Sequence, residues 1–324
     1  MKHTRLYFLA ALFGLFLMSC GPTNSNESKA EPSASEEAQP MDIAGNYVDD
    51  DYGKKAEGYD WVAVLVERKS DDKLDISIRS RADKKKPTCF MNADAEKVND
   101  KVYKATVDYV PVLFTFDGGN VTISAERPGD GDRLHFYCNG GATVAGTYAK
   151  IDGPIDPQVD KRTFTKGLSL QEVFFSVEGK MENGKNILTV ESVGLEKGEP
   201  FSQVIDGEIV NAEVEDLNSD GSPELVVYTK SGPNEKGHVY GFSTLAKKSM
   251  VQINFPQTEQ NSRINEGYNG FDDFTLVETY LGQRFPIFEM GQRTPKMRQV
   301  MYTMEKGEAM PQFVVKSVSD SLSE

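Results

Sequence analysis

Apolar residues recur at every second position over much of this chain, and that period of two excludes most folds. Leu74, Ile76 and Ile78 alternate with Asp75, Ser77 and Arg79, while Val210, Ala212 and Val214 alternate with Asn211, Glu213 and Glu215. A helix needs apolar residues three and four apart; alternate positions share one face of a half-buried antiparallel strand. Leu134, Phe136 and Cys138 alternate with Arg133, His135 and Tyr137 in the same way. The spacing therefore predicts a strand there, with Cys138 on the apolar side and His135 facing out. Turn signals such as Asp117-Gly118-Gly119-Asn120 separate the runs. The expected class is all-β, with two antiparallel domains. The first, 42–152, is a small barrel or sandwich, and the second, 162–318, is also strand-rich. The proline- and charge-rich stretch ending at Lys161 reads as a linker, placed at 153–161. Within the second domain, 299–318 reads as a hairpin turning at Glu305-Lys306-Gly307-Glu308, and 265–274 as a turn leading into a strand. FTLVETYLGQRFPIF (274–288) reads as one long strand bent at Gly282.

What precedes residue 42 reads as address rather than fold. Lys2 and Arg5 precede an apolar run at 6–17, the length of a signal-peptide core and too short for a comfortable membrane span. The run ends in Leu17-Met18-Ser19-Cys20, which resembles the bacterial lipobox. The resemblance implies a signal peptide at 1–19, cleavage before Cys20 and lipid (palmitate among the acyl chains) on that cysteine. Residues 20–41 then form a flexible tether, because they hold too little apolar surface to fold. Gly21, where an inner-membrane protein would carry Asp, resembles an outer-membrane address of a Gram-negative bacterium. The expected place is the periplasmic side of that membrane.

The formal net charge is −14. A surface this acidic argues against nucleic acid as a partner and favours encounter with a basic protein. Beyond Cys20 only Cys89 and Cys138 remain. An even pair in an exported chain predicts a disulfide, worth roughly 4 kcal/mol for a loop of about fifty residues; two buried free thiols are the alternative. The only imidazoles past the leader are His135 and His238, too few and wrongly spaced with the cysteines for a zinc site.

One loop has the oxygen spacing of a calcium site. Asp216, Asn218, Asp220 and Glu224 occupy positions 1, 3, 5 and 9 of DLNSDGSPE, with Gly221 at 6. There is no bidentate glutamate at position 12, and strands rather than helices flank it. The expectation is at most a structural calcium; Asp and Asn also bond their own backbone in turns without any metal. No cofactor is required by any other motif, and neither a Gly-x-Ser-x-Gly nor a His-Glu-x-x-His pattern occurs. The expectation is a protein that is not an enzyme.

Three blocks in the second domain resemble the periplasmic inhibitors of invertebrate-type lysozyme: FTKGLSLQEVFFSV (164–177), GEIVNAEVEDLNSDGSPELVVY (207–228) and GYNGFDDFTLVETYLGQRFPIF (267–288). The resemblance implies a β-sandwich that blocks a muramidase by inserting a loop into its cleft. The family's loop carries a Ser-Gly-x-x-Tyr signature. Here SGPNEKGHVYG (231–241) supplies Ser231, Gly232, Tyr240 and Gly241, with eight residues between Ser and Tyr where the family has two, and with His238 as a further polar group. The lysozyme cleft holds two carboxyl groups, and hydroxyl donors can bond them. Arg284, in the third block, reads as a structural ion pair, and Trp61 as a core or rim residue of the first domain. The basic loop at 81–90 reads as a solvated turn. The alternative function is a calcium-stabilised, non-catalytic envelope binding or adhesion module.

Overall fold

The computed structural model describes residues 42–83 and 86–322. The segments read as signal peptide and tether, with Cys20, lie outside the described residues, as do Lys84 and Lys85 of the basic loop.

The alternation closes first into an eight-stranded barrel. Its strands are β1 (Gly45–Val48), β2 (Val62–Ser70), β3 (Lys73–Ser80), β4 (Phe90–Lys97), β5 (Val102–Val107), β6 (Val110–Asp117), β7 (Asn120–Ala125) and β8 (Gly146–Ile151). They pair antiparallel in chain order, and β1 closes on β8. Leu74, Ile76 and Ile78 are wholly buried inside, against Phe114, Phe116, Val121 and Ile123. Trp61 is also fully buried, in a smaller cluster edge-on to Tyr52.

The expected strand through Leu134, Phe136 and Cys138 is not there. Residues Pro128–Tyr137 wind into a 3₁₀ segment, with Pro128 starting it. Leu134 is buried, His135 is exposed as expected, but Phe136 stands in solvent. Proline and the two glycines at 129 and 131 break the ladder, and a short 3₁₀ run needs none. Cys138 follows this segment and forms the disulfide with Cys89 at the head of β4.

Twelve further strands form three four-stranded antiparallel meanders. The first has β9 (Arg162–Leu170), β10 (Val173–Glu182), β11 (Lys185–Val193) and β12 (Phe201–Ile205). The second has β13 (Glu208–Glu215), β14 (Glu224–Ser231), β15 (Lys236–Ser243) and β16 (Val251–Ile253). The third has β17 (Asp273–Val277), β18 (Tyr280–Glu289), β19 (Gln292–Glu305) and β20 (Gln312–Leu322). The 305–308 region does lie in the β19–β20 connection. The single bent strand expected over 274–288 is instead the β17–β18 hairpin, turning at Glu278-Thr279, with Gly282 an ordinary member of the ladder. Glu278 takes φ 51°, the left-handed conformation such a two-residue turn demands, and nothing in its residue type announced it.

The sheets stack. Leu225 and Val227 of β14 enter one core with Val173, Phe175 and Val190 of the first sheet. Val226 and Tyr228 enter the other with Phe285, Val300 and Tyr302 of the third. The middle sheet is thus apolar on both faces, which is why ELVVYT reads as an unbroken run rather than an alternating one.

The barrel and the sheets belong to one compact unit. Residues 152–161 are bonded to the barrel: Asp160 N–H donates to Ser80 O, Ala82 N–H to Gln158 O and Asp156 N–H to the Tyr52 hydroxyl. Beside them the Phe90 ring packs against the guanidinium groups of Arg79 (4.0 Å) and Arg162 (5.2 Å), while Arg79 Nε donates to Arg162 O and Asn92 to Thr163 O.

Candidate functional site

Residues 231–241 are mostly strand. β14 and β15 pair from Glu224↔Ser243 to Ser231↔Lys236, so only Gly232-Pro233-Asn234-Glu235 is left as an exposed turn. Ser231 sits at its base. Tyr240 does not project from the tip, contrary to the sequence expectation: it lies in β15 opposite Val227, with its ring against the core shared with the first sheet. Gly241 is buried in the same strand, where a Cβ would sit 3.0–3.2 Å from Ile253 and Phe313. The ladder takes these residues because Val239 and Phe242 carry them into the two cores.

Ser231, His238 and Tyr240 nonetheless meet, around a residue the sequence did not single out. Asp206 opens the turn between β12 and β13. Its carboxylate lies 3.0 Å from His238 Nε2, Ser231 Oγ lies 3.3 Å from the same nitrogen, and the Asp206 N–H donates to the Tyr240 hydroxyl at 2.9 Å. Thr229 fixes the turn through Asp206 O and Asn186 through Gly207 O. Gly207 has φ 75°, and a Cβ there would fall 2.2 Å from Lys230 O. Only glycine lets the chain cross between sheets this close to the hairpin.

The trio has the residue types of a hydrolase relay but not its wiring. A relay needs the carboxylate on one imidazole nitrogen and the hydroxyl on the other. Here both oxygens address Nε2, so Asp206 competes with Ser231 for the ring instead of activating it. What the arrangement offers is a polar surface at the base of a hairpin, with a hydroxyl, an imidazole and a carboxylate.

The hairpin is held from behind by residues 267–272. Phe271 N–H donates to Asn234 O at 2.6 Å, and the Asn234 side-chain amide donates to Asn269. Asp272 is fully buried and accepts from Gly237 N–H (2.8 Å), the Tyr268 hydroxyl (2.6 Å) and the Gln283 amide (2.7 Å). Gln283 in turn donates to Thr258 and accepts from the Tyr302 hydroxyl. Burial pushes the Asp272 carboxyl up and its three donors pull it back. A Cβ on Gly237 would meet Phe274 and Asp272 at 2.6–2.7 Å. This clamp was not legible in the sequence, where Asp272 is one acid among fifty.

Of the four oxygen residues expected for calcium, Asp216, Asn218 and Asp220 share one turn and bond its backbone. Asp216 accepts from the N–H groups of Asp220 and Gly221 and from Gln171, Asn218 accepts from Asp220 N–H, and Asp220 accepts from Ser222 N–H. Glu224 turns into the core, where it accepts from Leu217 N–H and the Ser243 hydroxyl. Burial pushes its carboxyl up to about 7. Among the described residues no group of three or more His, Cys, Asp or Glu side chains is placed to hold a metal ion. Arg284 is exposed and forms no ion pair with described residues; its strand partner Asp273 pairs with Lys230 instead. No helix among the described residues is long and apolar enough to cross a membrane.

The three blocks that resemble the lysozyme inhibitors fall at equivalent places in the architecture, at the first two strands of each successive meander. The chain matches no model of a known protein family and no curated protein.

Proposed function

We propose that this chain is a lipid-anchored envelope protein of a Gram-negative bacterium that inhibits a muramidase, using the β14–β15 hairpin as the contacting element. The observation that carries the reading is the clamped hairpin. Its four-residue turn is exposed, its base bears Ser231 and His238, and the Asp272 network holds it from behind. A rigid presenting element loses little conformational freedom on binding. The Ser231 hydroxyl can donate to an active-site carboxylate, and a protein of net charge −14 attracts a basic enzyme. Tyr240 serves as a strut for the Asp206 turn rather than as a plug. The sequence resemblance supports the target class.

The test is cell-wall lysis by chicken-, goose- and invertebrate-type lysozymes with the protein in excess. Inhibition of one class is expected, lost when Gly232–Glu235 is replaced by a two-residue Asn-Gly turn and weakened about ten-fold by Ser231→Ala. Full lysis by all three enzymes would sink the proposal.

A further inference from the structure

Phe136 is 83% exposed, although everything around it is tied down. Leu134 is buried in the barrel core, and His135 Nδ1 lies 2.8 Å from Ala142 O. The Tyr137 hydroxyl donates to Val107 O at 3.0 Å, and Cys138 is fixed by the disulfide. Four successive anchors therefore hold one phenyl ring in water, where it stacks on no other described aromatic. What can distinguish this ring from other exposed apolar side chains is the surface it shares with its neighbours.

The ring lines a cleft of about 660 Å³ between the barrel and the β9 and β13 edges, a size ordinary for a small-ligand site. Of the other aromatics on its walls, Phe90 already packs against the guanidinium groups of Arg79 and Arg162. Across the cleft, Lys166 donates to Asn211 Oδ1 (2.8 Å) and Ala212 O (2.9 Å), both neutral, and forms no ion pair among the described residues. Lys69, Lys101 and Lys230, by contrast, each pair with a carboxylate. Asn211 accepts through Oδ1 and keeps its amide hydrogens for another partner. Asp108 also lines the cleft, and beyond it in the same tight turn Tyr109 stands 91% in solvent at φ 65°. Glycine is the usual residue there, so the exposed tyrosine is held against its backbone preference.

From the displayed ring, the unpaired ammonium and the amide donors facing one cleft, we infer that this cleft binds an oligosaccharide bearing carboxylate groups. A pyranose has an apolar C–H face and a hydroxyl rim. The face fits the electron-rich plane of Phe136, the rim fits the Asn211 amide, and the carboxylate fits the free valence of Lys166. This site is separate from the hairpin, and its test is independent of muramidase inhibition.

Titration calorimetry on the full chain, using tetragalacturonate, a hyaluronan tetrasaccharide and neutral chitotetraose, decides the matter. At least one acidic tetrasaccharide is expected to bind in the micromolar to low millimolar range, and chitotetraose at least ten-fold more weakly. Phe136→Ala and Lys166→Gln should each weaken that binding ten-fold or more, and Phe136→Ala should leave the melting temperature unchanged. No heat from either acidic tetrasaccharide at millimolar concentration overturns the inference. So does equal binding by Phe136→Ala, or tighter binding of a hexaglutamate peptide with the same dependence on Lys166.

Discussion

Three carboxyl groups, Glu224, Asp49 and Asp272, set the behaviour of this protein at the scale of single residues. Glu224, raised to about 7 by burial, has an ordinary value near 4.5 once the chain unfolds. Between those values the folded protein keeps a proton that the unfolded chain has lost, so stability falls as pH rises through that window and the loss is complete above it. Asp49, pushed up to about 6 by burial, adds to the lower part of the same slope. Thermal melts should show the midpoint dropping from pH 5 to pH 7.5. Glu224→Gln, which can still accept from Leu217 N–H and donate to Ser243, should flatten the slope above pH 6 and melt above wild type at pH 7.5. Asp272 is a different case, since removing it orphans three buried donors at once. Asp272→Ala is expected to cost about 3 kcal/mol in a denaturant titration and to speed amide exchange at Gly237.

At the scale of elements, the disulfide and the hairpins carry the predictions. Cys89 and Cys138 lie 49 residues apart, so opening their bond restores the freedom of a long loop. Cys89→Ser with Cys138→Ser should lower stability by roughly 4 kcal/mol, measured by chemical unfolding against the oxidised parent. The strands themselves were largely legible, because burial on one face writes a period of two into β3, β13 and their neighbours. The elements misread share one cause, namely that a turn can be written in residues that are not turn formers. Glu278 and Thr279 turn a hairpin inside what looks like a single strand. Residues 236–241 look like loop because Gly237 and His238 interrupt the apolar pattern, yet Gly237 is there to clear Phe274 and Asp272. Asp206 was invisible for a simpler reason. Its role exists only when β12, β14 and β15 meet, and nothing local records that meeting.

At the scale of the whole molecule, a small set of polar and cation–π contacts fastens the barrel to the sheets. The contact of Phe90 with the two guanidinium groups is the central one, with Arg79 reaching Arg162 O and Asn92 reaching Thr163 O. If these contacts couple the two parts, calorimetry of the wild type gives one transition. Phe90→Ala, which removes the shared ring and its cation–π contacts, worth ~1–2 kcal/mol each when desolvated, should split the trace into two. A single transition in that variant would place the coupling in residues 152–161 instead.

The middle sheet faces two cores, and this has a bearing on how the sequence can drift over time. A side chain lost from β10 or β19 disturbs one set of neighbours, and a compensating change can arise nearby. Along 224–231 adjacent residues answer to opposite sides, so a backbone shift that relieves one side presses on the other. Descendants of this chain should therefore diverge fastest in the outer meanders and the exposed 232–235 turn, while β14 changes last.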